Sequence, residues 1–186
     1  MPNTKGPWLL LAAWLSIVSS AFWWFEYRHW QSFSPLGVTF NGLDLQPLYR
    51  HLYLHKDGQD AITIVHFADQ SCACNRYGIQ HRKSLKALSK GFSKGLIQHV
   101  VLPQKALDMG IKVPASPSVA VWDSKGQLAY FGPYTSGAVC GQGDDFVRKV
   151  IRHLSNDHNP EWINMLGVGC YCPWQDQMNS KEKRHA

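Results

Sequence analysis

Cys72-Ala73-Cys74 follows a run that reads as a buried strand, Ala61-Ile62-Thr63-Ile64-Val65-His66-Phe67, and opens a segment that reads as a helix. A helix N-terminus stabilises a thiolate through its dipole and its free N–H groups. Thiolates attack disulfides and bind soft metal ions; thiols do both poorly. Residue type and position together point to redox chemistry. A second pair with the same spacing, Cys170/Cys172, stands near the end of the chain, and Cys140 stands alone. Five cysteines cannot all pair within one chain, so at least one thiol is left over. A disulfide inside Cys-x-Cys closes a very small ring, away from ideal dihedrals, and is expected to be strained and easily reduced. That suits a disulfide donor or isomerase. It equally allows that Cys72 and Cys74 do not pair with each other.

The neighbouring polar residues have plainer roles. His66 lies inside the strand and reads as packed or hydrogen-bonded, with ligation of a metal beside Cys72 as the rival reading. Asp69 could relay a proton at the thiols, although loop aspartates are mostly solvated. His51 and His55 have the i, i+4 spacing of metal ligands, but no acidic base lies between them, so one helix surface accounts for them.

The chain has 186 residues, 45% hydrophobic and 17% charged, enough for one domain with a core plus a short extra element. A net charge of +6 raises the question of nucleic acid. The cations are spread from Arg76 to Lys94 and over Lys181–Arg184 without interleaved aromatics, the pattern of a solvated surface, and no nucleic-acid partner is expected. From Gly6 to Phe25 no charge occurs. At about 1.5 Å per residue such a helix spans the ~30 Å hydrocarbon layer of a membrane. Trp23, Trp24, Phe25, Tyr27 and Trp30 then cluster as interfacial aromatics do. With Lys5 held on the cytoplasmic side, the expected location is the cytoplasmic membrane, single-pass, with the domain facing the periplasm or exterior. A signal peptide cleaved near Ser19-Ser20-Ala21 is the alternative. Either way the domain meets an oxidising compartment.

Residues 1–30 thus read as the anchor and 31–60 as a linker with a short amphipathic helix over Leu43–His55. Residues 61–157 form the core and 158–186 an extension with a disordered tail. Within the core, strands are expected at Ala61–Phe67, Ile97–Leu102, Ser118–Trp122 and Gln127–Phe131. A helix follows Asn75, a short one spans Pro103–Met109, and a last one follows Gly143-Asp144-Asp145.

That order, with a cysteine pair after the first strand and Ser116-Pro117-Ser118-Val119-Ala120-Val121-Trp122-Asp123 opening a later one, resembles the thioredoxin-like fold over roughly Ala61 to Leu154. The Cys72-Ala73-Cys74-Asn75-Arg76 string and the ending Gly169-Cys170-Tyr171-Cys172-Pro173-Trp174 look like an uncharacterised family of membrane-anchored bacterial thioredoxin-like proteins. The resemblance implies an α/β class, a three-layer α/β/α sandwich on a mixed sheet, preceded by one transmembrane helix. It also implies a cis proline beside the catalytic cysteines, at Pro117. The chain departs from the usual Cys-x-x-Cys by one residue, and Ser71 takes the place of the preceding aromatic.

On that topology the exit loop Gly132 to Gln142 returns to the cysteine edge, so Cys140 is expected there as a resolving thiol or third ligand. Cys170/Cys172 read as a structural disulfide site, and Cys140 could bond to either of them. The function expected is thiol–disulfide exchange on protein thiols and disulfides: Cys72 attacks, Cys74 resolves with Cys140 as substitute, and Pro117 aligns the substrate strand. No cofactor is expected. The alternatives are a thiolate chaperone for a copper ion, Cu(I), using both Cys-x-Cys pairs and His66, and a non-catalytic assembly module. Oligomeric state is not legible.

Overall fold

A computed structural model describes residues 5–27, 30–34, 40–53, 61–88, 95–136 and 143–174. The uncharged N-terminal run forms one helix, α1 (Lys5–Tyr27), whose apolar side chains between Gly6 and Phe25 are exposed. Its stretch Gly6–Phe25 is long and apolar enough to cross a membrane. Strand β1 (Trp30–Ser32) follows, then a 3-10 turn at Gly42–Leu45 that leads into α2 (Gln46–Tyr53). The core runs β2 (Ala61–Phe67), α3 (Asn75–Leu88), β3 (Gly95–Val101), α4 (Pro103–Asp108), β4 (Ala115–Ser116), β5 (Ser118–Trp122), β6 (Leu128–Gly132) and α5 (Phe146–Ser155). Three short strands close the chain: β7 (Trp162–Ile163), β8 (Val168–Cys170) and β9 (Cys172–Pro173).

The main sheet has five strands in the order β3-β2-β5-β6-β7. Strands β2 and β3 are parallel, β5 runs antiparallel to both β2 and β6, and β7 is parallel to β6. The parallel pair needs a crossover, which α3 supplies. The antiparallel β5–β6 pair needs only a tight turn. Asp123 makes it: its Oδ1 accepts from Lys125 N at 2.9 Å and Gln127 N at 2.8 Å, and Gly126 supplies a φ of +82°.

Side chains alternate across β2 and give the sheet two apolar faces. Ile62 and Ile64 join Leu85 of α3 and Val147, Val150, Ile151 and Leu154 of α5. Val65 and Phe67 join Leu48 of α2, Ala106 of α4, and Tyr171 and Trp174 from the end of the chain. The protein is therefore a mixed α/β domain with helices against both faces of its sheet.

The strand and helix order of the core matches the sequence expectation, with boundaries moved by one or two residues. The helix expected over Leu43–His55 is split into the 3-10 turn and α2; residues 54 and 55 lie outside the described residues. Sequence patterning gave no sign of β1, β4, β7, β8 or β9, which at two or three residues are too short for a period to register. They matter most for the site. Strand β8 pairs antiparallel with β1, setting Cys170 opposite Trp30, and β9 pairs antiparallel with β4, setting Cys172 opposite Ser116.

Candidate functional site

Strand β2 ends at Phe67, and the chain turns through Asp69 and Cys72 into α3. Cys72 N donates to Asp69 O at 3.1 Å, Asn75 N to Cys72 O at 3.0 Å, and Tyr77 N to Cys74 O at 3.2 Å. Cys74 thus immediately precedes the helix, and Cys72 sits in the turn before it. Asp69 builds this turn: its Oδ1 accepts from Ser71 N at 2.9 Å and from the Ser71 hydroxyl at 2.8 Å. Its own N–H donates to Ser116 Oγ at 2.9 Å, which ties the cysteine loop to β4. Asp69 is buried, where the sequence suggested solvation, and it serves chiefly as a turn-former.

The Ser116–Pro117 peptide bond is cis. Beside it, Cys72 Sγ lies 3.6 Å from the Ser116 carbonyl oxygen. Pro117 also packs close to the first turn of α3, because a Cβ placed on Gly78 would meet its Cβ at 3.4 Å. Cys72, the cis bond and the start of α3 therefore occupy one spot.

The cysteine pairing differs from the expected one. Cys72 is bonded to Cys172 and Cys74 to Cys170, so neither Cys-x-Cys forms its own ring. The two segments run antiparallel, and two steps forward along one match two steps back along the other. Cα–Cα separations of 5.9 and 5.5 Å fall in the ordinary range for disulfides, so each sulfur finds a partner across the gap without the cramped small ring. Cys72 is buried, with only 4% of the residue accessible and the terminal segment bonded to it through Cys172. Cys172 is partly exposed. Its chain neighbours Tyr171 and Pro173, with Phe33, Pro114 and Ala115 among others, line a cavity of about 340 Å³. Cys140 falls outside the described residues.

His66 points to the opposite face of the sheet from Phe67 and the terminal segment. Its Nε2–H donates to Gln98 Oε1 at 3.0 Å, and its Nδ1 accepts from the Tyr134 hydroxyl at 2.7 Å. Burial pushes its pKa down to about 3. With both ring nitrogens engaged away from the sulfurs, His66 is a packed core histidine, and the reading of it as a ligand beside Cys72 is corrected. His81 stands edge-on to the same Tyr134 ring, 3.5 Å from Asp145 Oδ1. Its burial lowers its pKa, with the Asp145 carboxylate opposing. His51 is exposed on α2, and His55 lies outside the described residues.

Ser116, Tyr134 and Gln98 were not singled out from the sequence. Ser116 could have been, as the residue before the proline. The other two carry no sequence signal.

The site thus defines a mixed α/β domain whose two Cys-x-Cys motifs are stapled to each other. The chain belongs to the family described as Domain of unknown function (DUF6436), which matches residues 44–174. Among solved structures it is similar to an uncharacterized conserved protein from Geobacillus kaustophilus, at 15% identity and a TM-score of 0.45 over 66% of this chain and 82% of that one. It is also similar to a hypothetical protein from Sinorhizobium meliloti, at 13% identity and a TM-score of 0.39 over 63% and 82%. No curated protein matches the chain.

Proposed function

We propose that this protein is a membrane-anchored thiol–disulfide exchange domain of thioredoxin-like organisation, acting outside the cytoplasm through the Cys72–Cys172 bond. The observation that carries this reading is the position of Cys72: in the turn before a helix N-terminus, against the cis Ser116–Pro117 bond, and bonded to the more accessible Cys172.

Those features favour one direction of attack. An incoming protein thiolate reaches the Cys172 sulfur and forms a new S–S bond there. The Cys72–Cys172 bond breaks, and its electron pair leaves on Cys72. The start of α3 favours that thiolate, and a stabilised thiolate is the better leaving group. A second thiolate of the same substrate attacks the substrate sulfur of the mixed disulfide and expels Cys172, which takes a proton from water. The substrate dithiol has become a disulfide, and Cys72 and Cys172 have taken up two electrons. With a substrate disulfide the same steps run backwards: the Cys172 thiolate attacks the substrate disulfide, and Cys72 then attacks the Cys172 sulfur and expels the second substrate thiolate. The potential of the partner couple sets the direction. Cys172 replaces Cys74 as the redox partner of Cys72, while Cys74–Cys170 keeps the terminal segment in place.

The test is exchange with a fluorescence-quenched cystine peptide, using the reduced full chain in detergent. Cys72→Ser and Cys172→Ser are expected to abolish turnover, whereas Cys74→Ser and Cys170→Ser retain it. Full activity in Cys72→Ser overturns the proposal.

A further inference from the structure

The sulfur atoms of Cys72, Cys74 and Cys172 all lie within 4.8 Å of one another. Cys72 and Cys172 are bonded to each other, whereas Cys74 belongs to the second disulfide, so its closeness to that pair is set by the backbone that carries it and not by a bond between them. Several contacts independent of sulfur hold that backbone. Strand β8 pairs with β1 over three residue positions, and β9 pairs with β4. Trp174 is buried edge-on to Phe67 with ring centroids 5.9 Å apart, and Tyr171 is edge-on to Phe33 at 5.3 Å. With the disulfides opened, these contacts are expected to keep the terminal segment docked and the three sulfurs gathered.

Thiolates crowded together, two of them buried, carry a desolvation and repulsion cost that a bound cation removes. Three mutually adjacent sulfurs suit a small, soft, low-coordinate ion; a closed tetrahedral zinc site needs a fourth ligand. We propose that the reduced chain binds Cu(I) on Cys72, Cys74 and Cys172. Reduction of each disulfide consumes two electrons and two protons: in vitro a water-soluble phosphine gives the electrons, and one water gives the protons and the oxygen of the phosphine oxide. Cu(I) then displaces the thiol protons into the buffer with no change of oxidation state. The ion and the Cys72–Cys172 bond need the same sulfurs, so they exclude each other. His66, on the other face of the sheet, takes no part.

The experiment uses the full chain in detergent, reduced with phosphine, desalted without oxygen, and titrated with Cu(I) against a chromophoric Cu(I) chelator. About one Cu(I) per chain is expected to leave the chelator, and none for protein with its disulfides intact. Cys74→Ser and Cys170→Ser break the same disulfide, yet only Cys74→Ser removes a ligand. Copper uptake is expected to be lost in Cys74→Ser and kept in Cys170→Ser and Cys140→Ser, with all three folded by circular dichroism. Equal loss in Cys74→Ser and Cys170→Ser overturns the three-sulfur site, as does a reduced wild-type chain that takes no Cu(I). The exchange proposal stands or falls separately: exchange is measured without copper, and Cys74→Ser is expected to keep it.

Discussion

Ser116 and Cys172 face each other across the β4–β9 ladder, and the Ser116 carbonyl oxygen also lies 3.6 Å from Cys72 Sγ. One residue, on the N-terminal side of the cis bond, therefore touches both partners of the Cys72–Cys172 disulfide. The terminal segment occupies the edge of β4 as an added strand, held by backbone pairing and by sulfur. An extended polypeptide binds a free strand edge in the same manner.

The two disulfides are expected to be mutually redundant for stability. The first closes a loop with a sequence separation of 100, worth roughly 5 kcal/mol in the chain-entropy model. With that loop closed, the second bond closes only the small ring between the two Cys-x-Cys segments, worth about 2 kcal/mol. Removing either bond alone should cost about 2 kcal/mol, and removing both roughly 7 kcal/mol, more than the sum of the single losses. Urea denaturation of Cys74→Ser/Cys170→Ser, Cys72→Ser/Cys172→Ser and the quadruple variant measures this. Additive losses would mean that the bonds do not share one loop.

Trp174 is the apolar anchor of the terminal segment. Its indole is fully buried against Phe67, and its backbone N–H donates to Pro114 O at 3.3 Å. Trp174→Ala is expected to destabilise the domain by about 3–5 kcal/mol, as large core truncations do. The indole Nε1 is buried without an acceptor, so Trp174→Phe should cost much less. Denaturant midpoints of the two variants give the comparison.

His66 should make the fold acid-sensitive. Its pKa falls from 6.5 to about 3 on folding because burial disfavours the imidazolium. Above pH 6.5 both states are neutral at this position and it adds no pH dependence. As pH falls below 6.5 the unfolded chain takes up a proton that the folded chain refuses, so stability is lost progressively down to about pH 3. The slope from this group reaches at most about 1.4 kcal/mol per pH unit. His66→Gln is expected to be less stable at pH 7 but to show a shallower decline on acidification. Thermal unfolding between pH 4 and pH 7 reads the difference, and parallel curves would exclude His66 as the source.

Deleting residues 1–27 should move the protein from the membrane pellet to the supernatant while the disulfides still form. The α1 side chains face outward along Gly6–Phe25 and contribute nothing to either core cluster. Fractionation of expressing cells, with thiol alkylation of each fraction, measures both outcomes.

Much of this protein was legible along the chain. The uncharged run marked α1. The apolar run Ala61–Phe67, the Asp123–Gly126 turn and the acidic start of α5 marked the core elements in order, because hydrophobic pattern, turn chemistry and capping act over a few residues. Asp145 does cap α5, accepting from Arg148 N at 2.9 Å. The position of Cys72 ahead of a helix was legible for the same reason. What tertiary structure alone decided is which sulfurs meet. Disulfide partners about a hundred residues apart are joined by strands too short to show a period, and a pairing written across two segments leaves no trace in either. That His66 is packed inside the strand was legible too. Its partners Gln98 and Tyr134 did not, because they arrive from separate elements brought together only when the sheet closes over its helices.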